Sequence, residues 1–319
     1  MKAKRDLEAV AWEVSACAGL AVLLEVTGSP KPGNVHRYAD FHDTRFEHFL
    51  ASGIAIMRDM EAAASRGIAI GLNEIRLEDA RMGETFRDAV KQVKRWQRGG
   101  NTSLGTIILV TPLSVAAGMT CAEGEFALSR MRDNLREVLK ENTSEDTLHL
   151  YEAIGIANPG GLGKVAELDA ADPSSKRVIL EKGVTLYEVF KMSAERDSIS
   201  KEWVTTFDVS FRIGLPEFES TFRKTRDVNF ATIHTFLRIL SEVPDTLIAR
   251  KIGKEEAEKI AIRAREVLQK GGCLTEEGWN ELEKLDSELR DPKNQLNPGT
   301  SADLTATSIM LALLNGFRP

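Results

Sequence analysis

Apolar residues recur at three- and four-residue intervals along most of the chain, which is the spacing of one face of an α-helix. This pattern predicts helices over about 7–26, 45–66, 77–98, 124–141, 232–241, 254–270 and 275–289. The apolar run at 106–117 is compatible with a buried strand, but its alanine, leucine and serine content favours a buried helix. Residues 211–226 are expected to be irregular or short-helical. With no strict repeat and no clear linker, the pattern predicts one all-α domain, residues 1–319, built as a multi-helix globular bundle.

Four loops rich in glycine, proline or asparagine interrupt the helices, at 31–40, 99–105, 158–164 and 297–303. Glycine lets backbone N–H groups approach a ligand closely, and a helix N-terminus attracts anions. Each loop alone is more often a plain connection than a ligand site. Together they predict a site for a polyphosphate ligand, although no P-loop or dinucleotide-binding fingerprint is present.

Composition narrows the choice of ligand and compartment. The net charge of −6 and the aromatic content of 6% argue against nucleic acid as a partner. The three cysteines are far apart in the sequence and are expected to be reduced thiols. We find no signal-peptide core and no unbroken apolar run of membrane-spanning length, so we expect a cytoplasmic protein without a membrane span.

The loop at 31–40 carries the richest set of functional groups. Lys31 supplies a positive charge for phosphate, Asn34 and His36 supply hydrogen bonds, and Asp40 can bind a metal or act as a base. The histidines of this region lack cysteine partners and an H-E-x-x-H pattern, so zinc is disfavoured. The supply of carboxylate and amide oxygens favours Mg²⁺ instead.

A second candidate carboxylate lies near the C-terminus. The Pro-Gly turn at 298–299 leads into an apolar helix at 308–314, and Asp303 is expected in the first turn of that helix. A carboxylate there either stabilises the helix N-terminus or holds a cation against a bound phosphate.

Two further groups have simpler interpretations. Ser198 and Glu202 share one helical face, which favours an exposed, salt-linked surface, although the adjacent Arg196 and Asp197 leave a ligand site open. Asp245 follows a proline and is best interpreted as the start of a helix.

The stretch from Glu25 to His36, E-V-T-G-S-P-K-P-G-N-V-H, resembles the E-V-x-x-x-P-K-P-G-x-V motif of the triphosphoribosyl-dephospho-CoA synthase family. Further matches follow in the order that the family shows: Asp40-Phe41, Phe49, Ser52, Asn101-Thr102 with Gly105, and Pro298-Gly299 with Ser301-Ala302-Asp303-Leu304. The resemblance covers both ends and the first third of the chain, whereas residues 122–230 match poorly.

The resemblance implies an all-α transferase that joins the triphosphoribosyl group of ATP to the 2′-hydroxyl of 3′-dephospho-CoA and releases adenine. Asp40 and Asp303 are then the candidates for metal ligand or base, and Glu25 is a supporting catalytic carboxylate. The candidate substrate-binding residues are Lys31, Gly33, Asn34, His36, Gly100, Asn101, Thr102, Gly299 and Ser301.

Departures from the family pattern leave the acceptor open. Ser103 and Leu104 stand where the family reads histidine and lysine in N-T-H-K-G, and Asn34 and His36 replace leucine and aspartate. Two alternatives therefore remain at the level of sequence. One is a Mg²⁺-dependent hydrolase similar to ADP-ribosyl-glycohydrolases, and the other is a non-catalytic nucleotide sensor. A homodimer is compatible with the sequence, but no apolar helix face identifies one.

Overall fold

The computed structural model describes residues 7–160, 168–170 and 172–319, and these residues are helical apart from their connecting loops. Within those ranges the β-type pairing is limited to one isolated bridge between His36 and Ala39. The helices are α1 (Leu7–Thr27), α2 (Phe46–Ala55), α3 (Met57–Gly71), α4 (Met82–Trp96), α5 (Leu104–Glu123), α6 (Leu128–Lys140), α7 (Ser144–Ala157), α8 (Pro173–Lys182), α9 (Leu186–Ser193), α10 (Ser198–Thr205), α11 (Leu215–Thr225), α12 (Val228–Glu242), α13 (Thr246–Ile252), α14 (Lys254–Gln269), α15 (Glu276–Leu289) and α16 (Gly299–Leu314). The predicted all-α fold is confirmed.

Several helix boundaries differ from the predicted ones. The helix predicted at 45–66 is two helices, α2 and α3, that meet at Ile56. The helix predicted at 77–98 begins as a 3₁₀ turn, and Arg81 in the left-handed region (φ 51°) separates that turn from α4. The C-terminal helix begins at Gly299, so Asp303 lies in its second turn rather than its first.

The apolar run at 106–117 is part of α5, which is buried along nearly its whole length, as the prediction of a buried helix requires. Its backbone lies directly against that of α3. A Cβ atom added at Gly67 would lie 2.0 Å from the carbonyl oxygen of Val115, and one at Gly118 would lie 2.1 Å from that of Ala64. These glycines allow the backbones of the two helices to pack in direct contact.

In the described part of the chain, two helices, α1 and α5, are long and apolar enough to cross a membrane by length and composition alone. The most apolar 18-residue segment of α5 is 89% buried inside the protein, and the corresponding segment of α1 is 61% buried. Burial in the protein core accounts for such apolar sequences. The expectation of no membrane span stays a prediction.

A second group of buried apolar side chains joins α12 to α13, α14 and α15. Helix α12 also contributes Ala231 and Ile239 to the main core around α1, α3, α5 and α16. Because α12 belongs to both groups, it joins the second group to the main core. The single-domain assignment stays a prediction.

Candidate active site

A cavity of about 510 Å³ opens where the glycine-rich loops meet the N-terminal ends of α5 and α16. Its wall includes residues of the loops at 41–44, 99–105 and 293–299, together with side chains of α7, α9, α10 and α13. Segments separated by more than 250 residues in the sequence therefore line one space.

Glu25 lines this cavity from α1, and Lys31 is fully buried outside the lining. The Lys31 ammonium donates to the Glu25 carboxylate and, at 3.1 Å, to the Glu25 carbonyl oxygen. Their side chains are only 1% and 6% exposed. Burial raises the pKa of Glu25 and lowers the pKa of Lys31, since each charged form loses its hydration. Lys31, predicted to contact phosphate, is thus bonded to Glu25 and does not line the cavity.

Asp303 projects from α16 to the first turn of α5. Its carboxylate accepts a hydrogen bond from the Thr106 hydroxyl at 2.5 Å. Gly105 makes this approach possible, because a Cβ atom there would lie 2.1 Å from Oδ2 of Asp303. Desolvation, with a contribution from the negative charges of Glu25 and Asp245, raises the pKa of Asp303 to about 7. This carboxylate can therefore take up or release a proton near neutral pH.

Asp245 joins α13 and α16, two of the helices that bring charged groups to the cavity. Its Oδ1 accepts from the backbone N–H groups of Leu247 and Ile248 in α13, at 2.9 and 3.2 Å. Its Oδ2 accepts from the N–H and hydroxyl of Ser301 in α16, at 2.7 and 2.9 Å. The interpretation of Asp245 as a helix start is correct, and the same carboxylate also caps a second helix. Ser301, predicted to bind substrate, is buried against Asp245 and lies outside the cavity lining.

Among the described residues, four basic side chains line the cavity, namely Arg196, Arg250, Lys251 and Lys293. Arg250 forms an ion pair with Asp197 at 2.6 Å, and Asp197 in turn caps α10. The Lys251 ammonium donates to the Asn294 carbonyl at 2.7 Å, and its burial lowers its pKa. These cations belong to α13 and to the loops before α10 and α16.

The structure brings the following predicted site residues together as cavity-lining residues: Glu25, Asn34, Gly100, Asn101, Thr102, Gly299 and Asp303. Asn34 also links the two sequence motifs directly, because its Nδ2 donates to the carbonyl of Pro298 at 3.4 Å.

Three other predicted residues lie outside that lining. Gly33 donates its N–H to Asp286 at 2.9 Å, and the ring of His36 lies between Ser29 and the same Asp286. Asp40 is exposed, and its carboxylate accepts from the N–H of Phe46 at the start of α2. Gly33 and His36 therefore stabilise the conformation of their loop, and Asp40 stabilises the start of α2. They do not bring Asp40 to Asp303 as a pair of metal ligands.

Sequence reasoning missed Asp43, Thr106 and Lys293, all of which line the cavity. Asp43 is only three residues after Asp40, and no spacing rule distinguishes the two in an irregular loop. Of the predicted loop at 158–164, Pro159 and Gly160 line the cavity, while 161–164 lie outside the described residues. Across the described ranges, no three histidine, cysteine, aspartate or glutamate side chains are grouped to hold a metal ion.

The family model for ATP:dephospho-CoA triphosphoribosyl transferase (CitG) matches residues 11–318. The chain belongs to this family. A 2-(5''-triphosphoribosyl)-3'-dephosphocoenzyme-A synthase of Klebsiella pneumoniae is 25% identical over 308 residues, which cover 95% of this chain and 91% of that protein. A relative from Stutzerimonas stutzeri that bears the same synthase name is 25% identical over 315 residues, covering 96% of this chain and 93% of its own.

A solved structure agrees with the sequence matches. The crystal structure of an Archaeoglobus fulgidus protein named as a triphosphoribosyl-dephospho-CoA synthase matches with a TM-score of 0.62 and 28% identity. The match covers 84% of this chain and 100% of that one. The chain is therefore a transferase of this family, as its motifs predicted, and neither the hydrolase nor the sensor is favoured.

Proposed function

We propose that the cavity transfers the triphosphoribosyl group of ATP to the 2′-hydroxyl of 3′-dephospho-CoA and releases adenine. The observation that carries this proposal is the position of Asp303, a carboxylate with a pKa near 7, in a cavity that also contains Glu25 and four basic side chains. A basic region suits the phosphates, and two carboxylates suit a reaction at an anomeric carbon.

In the proposed reaction the bond between the ribose anomeric carbon and the adenine nitrogen breaks, and a bond from that carbon to the acceptor oxygen forms. Asp303 takes the proton from the acceptor hydroxyl and then gives it up to the departing adenine, which restores the base form of Asp303. Positive charge develops on the ribose as the base leaves, and the Glu25 carboxylate stabilises it electrostatically. Lys31 holds Glu25 in position for this role.

The triphosphate is proposed to lie against Arg250, Lys251 and Lys293. The N-termini of α16 and α10 contribute little here, because Asp245 already caps α16 and Asp197 already caps α10. Side-chain cations therefore add the positive charge that these two helix ends do not offer to the phosphates.

Mg²⁺ fits this site as an ion held mainly by phosphate oxygens and water. Mg²⁺ commonly takes only one or two protein carboxylates, which agrees with the absence of a three-residue cluster in the described parts of the chain. Asp43 would hold it, since this half-exposed carboxylate lines the cavity and its charge acts on Lys251. The bound ion would neutralise charge on the triphosphate. Magnesium, a cytoplasmic location and a homodimer all stay predictions.

The experiment that tests this function incubates the purified protein with ATP and 3′-dephospho-CoA and follows both products by chromatography and mass spectrometry. We expect adenine and the triphosphoribosyl adduct in equal amounts. ADP-ribose is incubated in parallel, because adenine release from it would support the hydrolase alternative. Adenine release from ATP without any adduct would contradict the proposed transfer.

A further inference from the structure

One wall of the cavity is apolar, and its residues take no part in the proposed proton transfer or phosphate binding. Leu150 and Ile154 come from α7, Val189 and Phe190 come from α9, and Ile199 comes from α10. The lining residues that these three helices contribute carry no charge. We call these five residues the apolar wall.

The apolar wall is connected to the proposed reacting carboxylate through contacts among α9, α10 and α5. The ring of Phe190 packs on Trp203 with a centroid distance of 4.4 Å. The indole N–H of Trp203 donates to the Ile108 carbonyl of α5 at 3.3 Å. Ile108 and Thr106 are two residues apart near the start of α5, and Thr106 hydrogen-bonds to Asp303. The wall is therefore joined to the helix turn that positions Asp303.

Polar groups stand at the border of the apolar wall. Ser193 and Ser200 line the cavity from α9 and α10, and Asp169 and Arg196 line it from the adjoining loops. An apolar surface bordered by hydrogen-bonding groups fits a planar heteroaromatic ring, which has apolar faces and polar edges. A phosphate does not fit such a surface, because charge placed against apolar groups loses its hydration without compensation.

The proposed reaction supplies two rings of this kind next to the reacting atoms. The adenine of ATP is bonded directly to the anomeric carbon, and the adenine of dephospho-CoA is on the same ribose as the attacking hydroxyl. The pantetheine arm is separated from that hydroxyl by a ribose and a diphosphate. We infer that the apolar wall binds an adenine base, an inference that rests on the proposed function for the identity of the ring.

The test measures binding of free adenine and of inorganic tripolyphosphate by calorimetry, in the wild type and in Ile154→Ala and Val189→Ala variants. Both side chains are partly exposed, so their truncation should leave the fold intact, and thermal melting checks this. The matched control is Leu180→Ala on α8, a leucine that is 57% exposed and outside the cavity lining. We expect each wall variant to weaken adenine binding by about five- to tenfold, because buried methyl and methylene contacts are lost. Tripolyphosphate binding should change by less than about twofold, since the wall does not touch the phosphates.

Steady-state kinetics with the same variants show whether the wall binds the adenine of ATP or the adenine of dephospho-CoA. A rise in KM for ATP alone assigns the wall to the donor base, and a rise in KM for dephospho-CoA alone assigns it to the acceptor base. Unchanged adenine affinity in folded wall variants, or a wild type that binds no adenine, would overturn the inference. A wild type that binds adenine through the wall but forms no adduct would refute the proposed function while leaving the binding site in place.

Discussion

At the scale of single residues, the site depends on a carboxylate whose protonation is set by its surroundings. Burial raises the pKa of Asp303 from 3.8 to about 7, so its base form predominates only above that pH. We expect kcat/KM to rise about tenfold per pH unit below pH 7 and to level off above it. Adenine release measured between pH 5.5 and 8.5 checks this. A profile that stays flat across that range would contradict a role for Asp303 as the base.

The Asp303→Asn variant tests the same residue without a change of pH. We expect the transfer rate to fall by about 100- to 10,000-fold, the usual contribution of a general base. The stability of the folded protein, in contrast to its activity, should increase in this variant. Because the folded-state pKa is raised, charging Asp303 opposes folding as pH rises from about 4 to 7, so the variant should melt higher than the wild type at pH 8. Asp40→Asn is the control and should keep full activity, since Asp40 lies outside the cavity lining.

Gly105 provides the space in which the Asp303 carboxylate lies. A methyl group in Gly105→Ala would overlap Oδ2 of Asp303, so we expect the carboxylate to move and the rate to fall by about 100-fold. Gly155→Ala in α7 is the matched control, because a Cβ atom there meets nothing within 4 Å. That variant should remain active and be slightly more stable, as alanine favours a helix. Equal activity in the two variants would show that Asp303 needs no such space.

The buried pair of Glu25 and Lys31 can be tested through both the stability and the activity of the protein. Lys31→Met leaves the Glu25 carboxylate buried without its partner, which should cost about 3–5 kcal/mol of unfolding free energy. The double variant Glu25→Gln, Lys31→Met removes both charges and should recover most of that stability without recovering activity. Chemical denaturation measures the first effect and adenine release the second. Full activity in the double variant would exclude Glu25 from the reaction.

At the scale of helices, Asp245 connects α13, which carries Arg250 and Lys251, to α16, which carries Asp303. Asp245→Asn replaces an acceptor oxygen with a donor group that cannot pair with an N–H, so we expect a loss of about 1–3 kcal/mol in stability. We also expect a higher KM for ATP, because the cations and the carboxylate lose their relative placement. Asp227→Asn is the control, as Asp227 caps α12 and lies outside the cavity lining. A similar KM in both variants would limit Asp245 to a purely structural role.

Helix periodicity predicted the type of nearly every element, because apolar spacing follows directly from which face is buried. It could not place the break at Ile56, since apolar residues continue on both sides of it. It also could not place the start of α16, because the small polar residues between Gly299 and Thr307 are buried against other helices and show no apolar stripe. The loop residue Asp43 could not be separated from Asp40 for a different reason, because an irregular loop has no periodicity that tells which side chains share a face.

At the scale of the whole molecule, the site contains residues from both ends of the chain. The two glycine-proline motifs were expected to share a ligand, and the contact of Asn34 with Pro298 places them side by side. The all-α fold and the family were predictable because short motifs and helical periodicity are local properties of the sequence. The parts played by Asp245, Lys293 and the apolar wall were not predictable, since each depends on helices that are distant in sequence and adjacent in space.

Transfer of a triphosphoribosyl group to a ribose 2′-hydroxyl requires that hydroxyl for adenine to be released. We therefore measure adenine release from ATP by the purified protein with three additions: buffer alone, 3′-dephospho-CoA, and 3′-dephospho-CoA lacking the 2′-hydroxyl. We predict rapid release only with the intact acceptor, in equal amount to the adduct, because the hydroxyl oxygen must form the new bond. Equal release in all three reactions would contradict transfer and would indicate hydrolysis by water.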